Sequence, residues 1–333
     1  MSATKIEWAD ATWNPITGCT PISAGCRGCY AKRMANRLRG RCGYPADEPF
    51  KPTFHPDKLD EPLRWKKPRR IFVCSMGDLF HEDVSAEWIA KVLAIVKLCP
   101  QHTFMVLTKR PERMHWFFVS SSVIRALHER ETTILSNLWL GTTCEDQAAA
   151  DERLPWLLRC PSAVRFVSHE PALGAVDWTP WLDPLGQESC INCGADERRY
   201  LTATERAEMR YSKLGDALCR ECGEIAHATG YDDGIDWLIT GAPTGPGAPP
   251  MHPDIARSDR DQCAAAGVPW FFKGWGEWRS WNTTSNREIE ALPFDPPHCE
   301  AFGEVFVRVG RKRAGRRLDG KEHNEFPHTH PAS

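Results

Sequence analysis

The chain has no long apolar run and almost no net charge. None of its 333 residues lie in a run approaching the roughly 18 apolar residues of a membrane-spanning helix. The first seven residues also lack the basic and apolar blocks of a secretory signal peptide. We therefore expect a cytoplasmic protein with no membrane partner. The formal net charge of −2 excludes bulk attraction to a polyanion, so any contact with nucleic acid must come from local basic patches.

Two basic patches meet that description. The first, residues 64–70, is equally compatible with a solvated face and with phosphate binding. The second favours an anionic partner, because its cations are denser and are interrupted only by small or apolar residues. Its members are Arg308, Arg311, Lys312, Arg313, Arg316 and Arg317.

Cysteine, by contrast, is abundant, with 14 in the chain. Cys19, Cys26 and Cys29 stand close together near the start, where three thiolates can hold three corners of an iron–sulfur cluster and leave the fourth iron open. Two alternatives remain: a zinc site closed by a fourth ligand such as Cys42, or three reduced thiols without metal. Isolated cysteines are expected to be small buried side chains: Cys74, Cys99, Cys160 and Cys263.

Short apolar runs recur along the chain at spacings that leave room for a helix between them. They cover residues 71–74, 104–107, 138–141, 164–167, 237–240 and 269–272. Helical spacing of apolar residues is clear over 86–98 and weaker over 148–158. This βαβα alternation predicts an α/β fold, a TIM-type or partial (β/α) barrel whose functional groups lie at the carboxyl ends of the strands.

The apolar pattern stops over residues 186–231, where two Cys-x-x-Cys motifs predict a small zinc-ribbon-like insert. Their ligands are Cys190, Cys193, Cys219 and Cys222; a second iron–sulfur cluster or a dithiol pair is the alternative. Metal binding would supply the folding energy of so small a unit. The predicted organisation is a first barrel part, the insert, the rest of the barrel and a basic tail, over 1–185, 186–231, 232–310 and 311–333. The tail from Val309 has no apolar periodicity and is expected to fray.

Polar residues follow the predicted strands and are expected to face the cysteines from the barrel mouth. They are Ser75, Asp78, Lys109, Glu145 and Glu170. Lys109, with Arg110, can bind a carboxylate or a phosphate, or form an ion pair of little energetic weight. Glu170 can relay a proton with His169, although a buried pair with satisfied hydrogen bonds fits equally well.

Several motifs resemble those of the uncharacterised phage-type three-cysteine-motif family, found in phages and in bacterial genomes. They cover most of the chain outside the insert. They are Trp13-Asn14-Pro15, the cysteine cluster with Cys29-Tyr30-Ala31, Ser75-Met76-Gly77-Asp78-Leu79-Phe80-His81, Leu107-Thr108-Lys109-Arg110-Pro111, Leu138-Trp139-Leu140-Gly141, His169-Glu170-Pro171, Gly267-Val268-Pro269, Phe272-Lys273-Gly274-Trp275-Gly276 and Gly315-Arg316-Arg317-Leu318-Asp319-Gly320.

That family in turn is similar to the radical S-adenosylmethionine enzymes. The resemblance implies a [4Fe-4S] cluster on the three clustered cysteines, with S-adenosylmethionine on the open iron. An electron donor would drive its cleavage to a 5′-deoxyadenosyl radical that takes a hydrogen atom from the substrate. It further implies cofactor contacts from Ser75, Asp78 and Glu145, and catalytic roles for Asp78, Lys109 and Glu170. Asp78 would pair with the cofactor amine, or alternatively cap a helix.

Two hypotheses of function follow. In the first, the chain is a radical enzyme acting on a nucleotide or nucleic acid in a phage-related pathway, with 14 tryptophans available for base stacking and a partner protein left open. In the second, it is a non-catalytic, zinc-stabilised nucleic-acid-binding or scaffold protein of phage origin. Two-metal hydrolysis of phosphodiesters has only scattered carboxylates in its favour. The metal held by the first cysteine group separates the first two.

Overall fold

The structure is a computed structural model that describes residues 4, 6–120, 135–182, 234–281 and 297–327. The predicted insert, with Cys190, Cys193, Cys219 and Cys222, lies outside the described residues. Strands and helices are numbered below in chain order within the described ranges.

Seven parallel strands form one curled sheet, a half-barrel, in the order β1-β4-β5-β6-β7-β8-β9. The predicted partial (β/α) barrel is therefore confirmed, with β1 and β9 as the edges of the described sheet. Each of the six apolar runs forms a strand, and β1 adds one that the sequence pattern missed. The seven strands are β1 (Ala11–Trp13), β4 (Arg70–Val73), β5 (Thr103–Thr108), β6 (Leu138–Thr143), β7 (Val164–His169), β8 (Trp237–Gly241) and β9 (Trp270–Gly274).

Smaller sheets flank the half-barrel. A two-stranded pair joins β2 (Ile16–Thr17) to β3 (Thr53–Phe54). A three-stranded antiparallel sheet has the order β10-β12-β11, and a short hairpin pairs β13 with β14. Their bounds are β10 (Trp278–Ser280), β11 (His298–Ala301), β12 (Glu304–Arg308), β13 (Arg317–Leu318) and β14 (Lys321–Glu322).

The helices follow the strands along the chain. They are α1 (Tyr30–Arg37), α2 (Ala86–Leu98), α3 (Pro111–Ser120), α4 (Gln147–Leu158), α5 (Thr179–Leu182), α6 (Pro253–Ala266) and α7 (Arg311–Ala314). The predicted helix over 86–98 matches α2. Ser85 starts it by accepting a hydrogen bond from the Trp88 amide at 3.2 Å, and its apolar stripe is buried against the sheet. No helix in the described part of the chain is both long and apolar enough to cross a membrane.

The two faces of the sheet carry different cores. The face towards the helices holds aliphatic and aromatic side chains that continue into the helix layer. A separate and strongly aromatic cluster covers the other face, because successive residues of a strand point to opposite sides. It contains Met105, Trp139, Phe166, Trp237 and Phe271 from the strands, with Trp8 from the N-terminal segment and Phe326 from the C-terminal one. The inner side of the half-barrel is thus filled by side chains from both ends of the chain.

The basic tail is ordered through residue 327, so the prediction of a frayed terminus from Val309 is wrong for that part. Asn324 forms an antiparallel bridge with Phe271 on the edge strand β9. Asp319 accepts hydrogen bonds from Arg257 at 2.8 Å and Arg260 at 2.8 Å, both on α6. The tail folds because it completes the edge of the sheet, a contact that its own sequence periodicity does not encode.

The isolated cysteines are buried as predicted. Cys74, Cys99, Cys160 and Cys263 each have at most 2 % of their surface exposed. They behave as small apolar residues of the core.

Candidate functional site

The three clustered cysteines lie on a loop, residues 18–29, that joins β2 to α1 across the carboxyl ends of the parallel strands. Gly18 anchors its start by a parallel bridge to Gly77, just past β4. The position requires glycine, because φ is +93° and a Cβ would lie 2.2 Å from the Lys51 carbonyl oxygen. We call residues 18–29 the thiol loop.

Each cysteine has a defined place in the thiol loop, and all three are free and half-buried. Cys19 accepts a hydrogen bond from the Arg110 guanidinium at 3.5 Å. Cys26 ends a 3-10 turn, Ala24–Cys26, within 3.6 Å of the Ser23 hydroxyl. Cys29 precedes α1, and its sulfur accepts from the Lys32 amide at 3.5 Å. One short segment therefore presents three thiols at the mouth of the half-barrel.

The surroundings shift the pKa values of two of these thiols in opposite directions. Burial, together with the nearby Asp78 carboxylate, raises the pKa of Cys19 to about 12. Burial also acts to raise the pKa of Cys26, but a backbone hydrogen bond with Ile22, the Lys109 charge and the Ser23 hydroxyl lower it overall. Cys26 is thus the more readily ionised of the two, and the thiolate is the form that binds metal.

Arg110 fastens the thiol loop to the sheet. Its Nε donates to both carboxylate oxygens of Glu82 at 2.8 and 2.9 Å, and its Nη1 donates to Asp78 at 3.2 Å. Nη2 donates to the hydroxyl of Thr20 at 3.0 Å, beside Cys19. This side chain is only 7 % exposed. Its five-donor fork is therefore engaged within the protein. This pairing with Glu82 and Asp78 is the ion-pair alternative that the sequence left open beside a carboxylate or phosphate ligand.

A second connection runs under the middle of the thiol loop. Lys109 donates from Nζ to Glu145 at 2.5 Å and to Ser23 at 2.9 Å. Glu145 also accepts from the Ser23 hydroxyl, and from Arg153 of α4 at 2.6 Å. Burial acts to raise the pKa of Glu145, but Lys109, Ser23 and Arg153 outweigh it and lower the value to about 2. Lys109 and Glu145 were both expected at this mouth, and the structure joins them as an ion pair.

Gly25 packs directly on that ion pair. A Cβ at this position would lie 2.7 Å from Cγ of Glu145 and 2.9 Å from Nζ of Lys109. The absence of a side chain at Gly25 therefore lets the thiol loop reach the charged pair.

Asp78 and Ser75 also lie at this mouth, past the end of β4. Asp78 is 5 % exposed and accepts from the Thr108 hydroxyl at 2.7 Å and the Phe80 amide at 2.9 Å, besides Arg110. Ser75 donates to the Asn14 side chain at 3.2 Å. Both cofactor-binding predictions thus fall on residues that already have protein partners.

His169 ends β7 and Glu170 follows it, and the two side chains have different surroundings. Glu170 binds Lys273 of β9 through both carboxylate oxygens, at 2.6 and 2.7 Å, and lines a cavity of about 400 Å³. His169 is fully buried, bonded through Nδ1 to Asp259 of α6 at 2.7 Å and through Nε2 to the Gly174 carbonyl at 3.1 Å. His169 is therefore a buried residue whose hydrogen bonds are satisfied, which was the alternative to a proton relay. Glu170 instead faces the cavity.

Several contacts of the site were not predicted from the sequence. Ser23, Glu82 and Arg153 contact predicted residues, yet no motif singled them out. Lys273 stands in one of the motifs quoted above, but its pairing with Glu170 was not predicted. Ser23 stood within the cysteine run, which was a usable signal. Arg153 and Lys273 come from a helix and a strand far along the chain, so only the fold brings them here.

The thiol loop supplies a donor set suited to an iron–sulfur cluster. Such a cluster spreads its thiolate ligands over separate iron atoms, so the sulfurs need not surround one ion. A closed zinc site does need such convergence. Within the described ranges, no three His, Cys, Asp or Glu side chains are grouped closely enough to hold a single metal ion. Cys42, the proposed fourth zinc ligand, is exposed. Three thiols on one short segment match the three-ligand set of a cluster with one open iron.

These features define a parallel α/β half-barrel protein with a three-thiol loop over its strand ends. Residues 3–327 match the family described as "Protein of unknown function (DUF5131)", and the chain belongs to that family. No curated protein and no solved structure matches the chain. Membership of a family of unknown function is thereby confirmed, while the phage kinship and the radical-enzyme resemblance stay predictions.

Proposed function

We propose that this chain is an iron–sulfur enzyme of the radical S-adenosylmethionine type that acts on a nucleotide or nucleic acid. The supporting observation is the thiol loop itself. It presents Cys19, Cys26 and Cys29 above the carboxyl ends of parallel strands, where α/β barrels carry their functional groups. Buried charged residues support the loop from below.

The protein's own residues divide between holding the loop and contacting substrate. When bound, a reduced cluster would supply the electron that cleaves S-adenosylmethionine. Arg110 and Asp78 hold the start of the loop, and Lys109 and Glu145 hold its middle. Asp78 and Glu145 each already accept hydrogen bonds from several protein donors, with which a cofactor would have to compete. The more accessible Glu170–Lys273 pair lines the adjacent cavity, and we assign it the contact with substrate.

Metal content provides the first test. The protein is purified anaerobically, iron, sulfide and zinc are quantified per chain, and electron paramagnetic resonance spectra of the reduced protein are recorded with and without S-adenosylmethionine. We expect about four irons per chain, as three-thiolate ligation of a [4Fe-4S] cluster requires, and a spectrum that the cofactor changes. Zinc in addition would report on the predicted insert.

Two cysteine variants separate the cluster from the zinc alternative. Cys26→Ala should abolish iron binding, because one of three ligands is lost, while leaving zinc bound elsewhere. Cys42→Ser is the matched control: Cys42 is exposed and belongs to the same part of the chain. It should retain all iron if three thiols suffice, and should lose metal if Cys42 closes a zinc site.

One outcome of the metal analysis would contradict the enzyme proposal. About two zinc ions per chain and no iron after anaerobic handling would overturn the enzyme proposal, since each closed zinc site takes four ligands. The non-catalytic nucleic-acid-binding or scaffold protein would then be the better description.

A further inference from the structure

The surface beside the thiol loop carries two adjoining basic cavities. We propose that together they bind a single strand of nucleic acid, with one nucleotide in the inner cavity and its neighbours in the outer one. This inference rests on the proposed function for its placement, since it names the substrate class of that site. Its evidence, however, comes from other residues.

The inner cavity, of about 400 Å³, lies at the carboxyl ends of β8 and β9. Lys273, Arg311, Lys312 and Arg316 supply four cations to its lining, against the carboxylates Glu7 and Glu170. Thr244 lines it too, and the thiol loop touches this residue: a Cβ at Gly28 would lie 3.3 Å from the Thr244 carbonyl oxygen. A ligand in the inner cavity is therefore next to the thiol loop at Gly28.

The outer cavity, of about 730 Å³, lies between α7, β10 and the β13–β14 hairpin. Its lining includes Lys312, Arg313 and Arg317 beside the half-buried indoles of Trp275 and Trp278. Basic side chains interleaved with aromatic rings are the combination that single-strand binders use, the cations for phosphates and the rings for bases. Both volumes fall within the range of about 300–1,000 Å³ typical of sites for small ligands, too confined for a paired duplex.

Much of the positive charge nearby is used within the protein. Arg257 binds Asp319, Arg308 binds Glu277, and Arg311 binds Glu7. These three arginines hold the tail and the small sheet in place. Two further cations of the cavity lining are also paired, Lys273 with Glu170 at 2.6 Å and Arg317 with Glu322 at 3.8 Å.

The remaining cations point to an external anion. Arg316 donates to two neutral acceptors, the Phe272 carbonyl at 3.2 Å and the Asn324 side chain, so these contacts leave its charge uncompensated. Lys312 and Arg313 are exposed on the same short helix, α7. A polyanion that neutralises several such cations at once gains affinity by releasing its counterions.

The two cavities share part of their lining. Lys312, Gly315 and Arg316 border both cavities. Helix α7 and the two residues that follow it, Gly315 and Arg316, therefore form a basic ridge between the cavities. A mononucleotide would occupy one side of this ridge only. A strand of several nucleotides can place phosphates along the ridge while one base reaches towards the thiol loop.

The other basic patch provides a matched control. Residues 64–70 lead into β4, which begins at Arg70. They therefore lie at the amino edge of the sheet, opposite the thiol loop. Lys66 and Lys67 are exposed, like Lys312 and Arg313. Exchanging either pair for alanine removes the same charge from the protein, but only one pair borders the cavities.

The test is fluorescence anisotropy of labelled single-stranded oligothymidylates and oligouridylates of increasing length, titrated with the full chain over a range of salt. Affinity should rise with length beyond the mononucleotide and fall with salt. The double variant Lys312→Ala/Arg313→Ala should bind on the order of tenfold more weakly and lose about 0.7 from the salt slope for each phosphate contact removed. Lys66→Ala/Lys67→Ala should match the wild type. Thermal melting by circular dichroism checks that both variants fold.

The inference would be overturned by no binding of single strands, by equal weakening in both double variants, or by an affinity for a mononucleotide equal to that for a long strand. Failure of the enzyme proposal would give a different result, namely absence of iron with single-strand binding retained. The assay needs no cluster, so Cys26→Ala protein without iron should still bind single strands as the wild type does. Loss of binding in that variant, if it folds, would likewise count against a site built from the two basic cavities.

Discussion

Glu145 is a buried carboxylate whose donors come from three different segments of the chain. Lys109 follows β5, Ser23 belongs to the thiol loop, and Arg153 lies on α4. With 2 % of the side chain exposed, this carboxylate is stable as an anion only because these donors replace the water it has lost. The same residue thus ties the thiol loop to the barrel and couples its stability to pH.

The stability of this connection should fall in acid. The folded-state pKa of Glu145 is about 2, below its ordinary value of 4.5. Its contribution is therefore complete above pH 4.5 and is lost as the pH falls towards 2. We expect Glu145→Gln to lower the free energy of unfolding by about 3 kcal/mol at neutral pH, because Lys109 and Arg153 are left without their anion. Urea denaturation of both proteins across this range checks it: the difference should shrink in acid, and a constant difference would contradict the assignment.

Gly25 should be intolerant of a side chain. Alanine there would force apart the buried Glu145–Lys109 pair or lift the thiol loop, at a cost of about 1–3 kcal/mol. Gly174→Ala is the control, since its Cβ would meet only Asp146 at an ordinary 3.6 Å. We expect Gly25→Ala, and not the control, to lower the denaturation midpoint and to speed the reaction of Cys19 and Cys26 with a thiol reagent. Unchanged thiol reactivity would show that the loop does not depend on this contact.

At the scale of elements, sequence periodicity predicted the strands and helices whose apolar pattern lies within a single segment. The buried strands β4 to β9 are short apolar runs, and α2 carries its stripe and its Ser85 cap within one segment. The three-residue strand β1 is too short to show a pattern. Helix α1 was missed because its exposed face is strongly basic, which hides the apolar stripe. Contacts such as Arg153 with Glu145 depend on the packing of the whole layer, so no local pattern could reveal them.

The tail is held to the barrel by charges as well as by strand pairing. Asp319, with φ at +49°, accepts from Arg257 and Arg260 of α6. Asp319→Asn keeps a side chain that tolerates this left-handed backbone, removes the charge and replaces one acceptor oxygen by an amide donor. Because these groups are partly exposed, we expect a loss of about 0.5–1 kcal/mol that disappears in high salt. Denaturation at low and high ionic strength checks this; a loss unaffected by salt would point to the hydrogen bonds instead.

At the scale of the molecule, an open half-barrel must cover its inner face without a full ring of strands. Here both ends of the chain do so. Trp8 packs against Phe72 with ring centroids 4.7 Å apart and against Trp237 at 6.3 Å, while Phe326 lies 5.0 Å from Trp237 on the other side. Trp237 is therefore the centre of a cluster that joins the two terminal segments through the barrel interior. That arrangement leaves the carboxyl edge free for the thiol loop and the basic cavities.

Removal of the Trp8 side chain should consequently destabilise the whole fold. Trp8 is 2 % exposed, and Trp8→Ala should cost about 3–5 kcal/mol, because the vacated space lies in a rigid aromatic cluster. Trp116→Ala, at a tryptophan that is 51 % exposed, is the control and should cost far less. Trp8→Ala combined with Phe326→Ala should lose less than the sum of the two single losses, since both rings pack on Trp237 and the first loss already loosens it. Strict additivity in equilibrium denaturation would mean that the two ends cover the inner face independently.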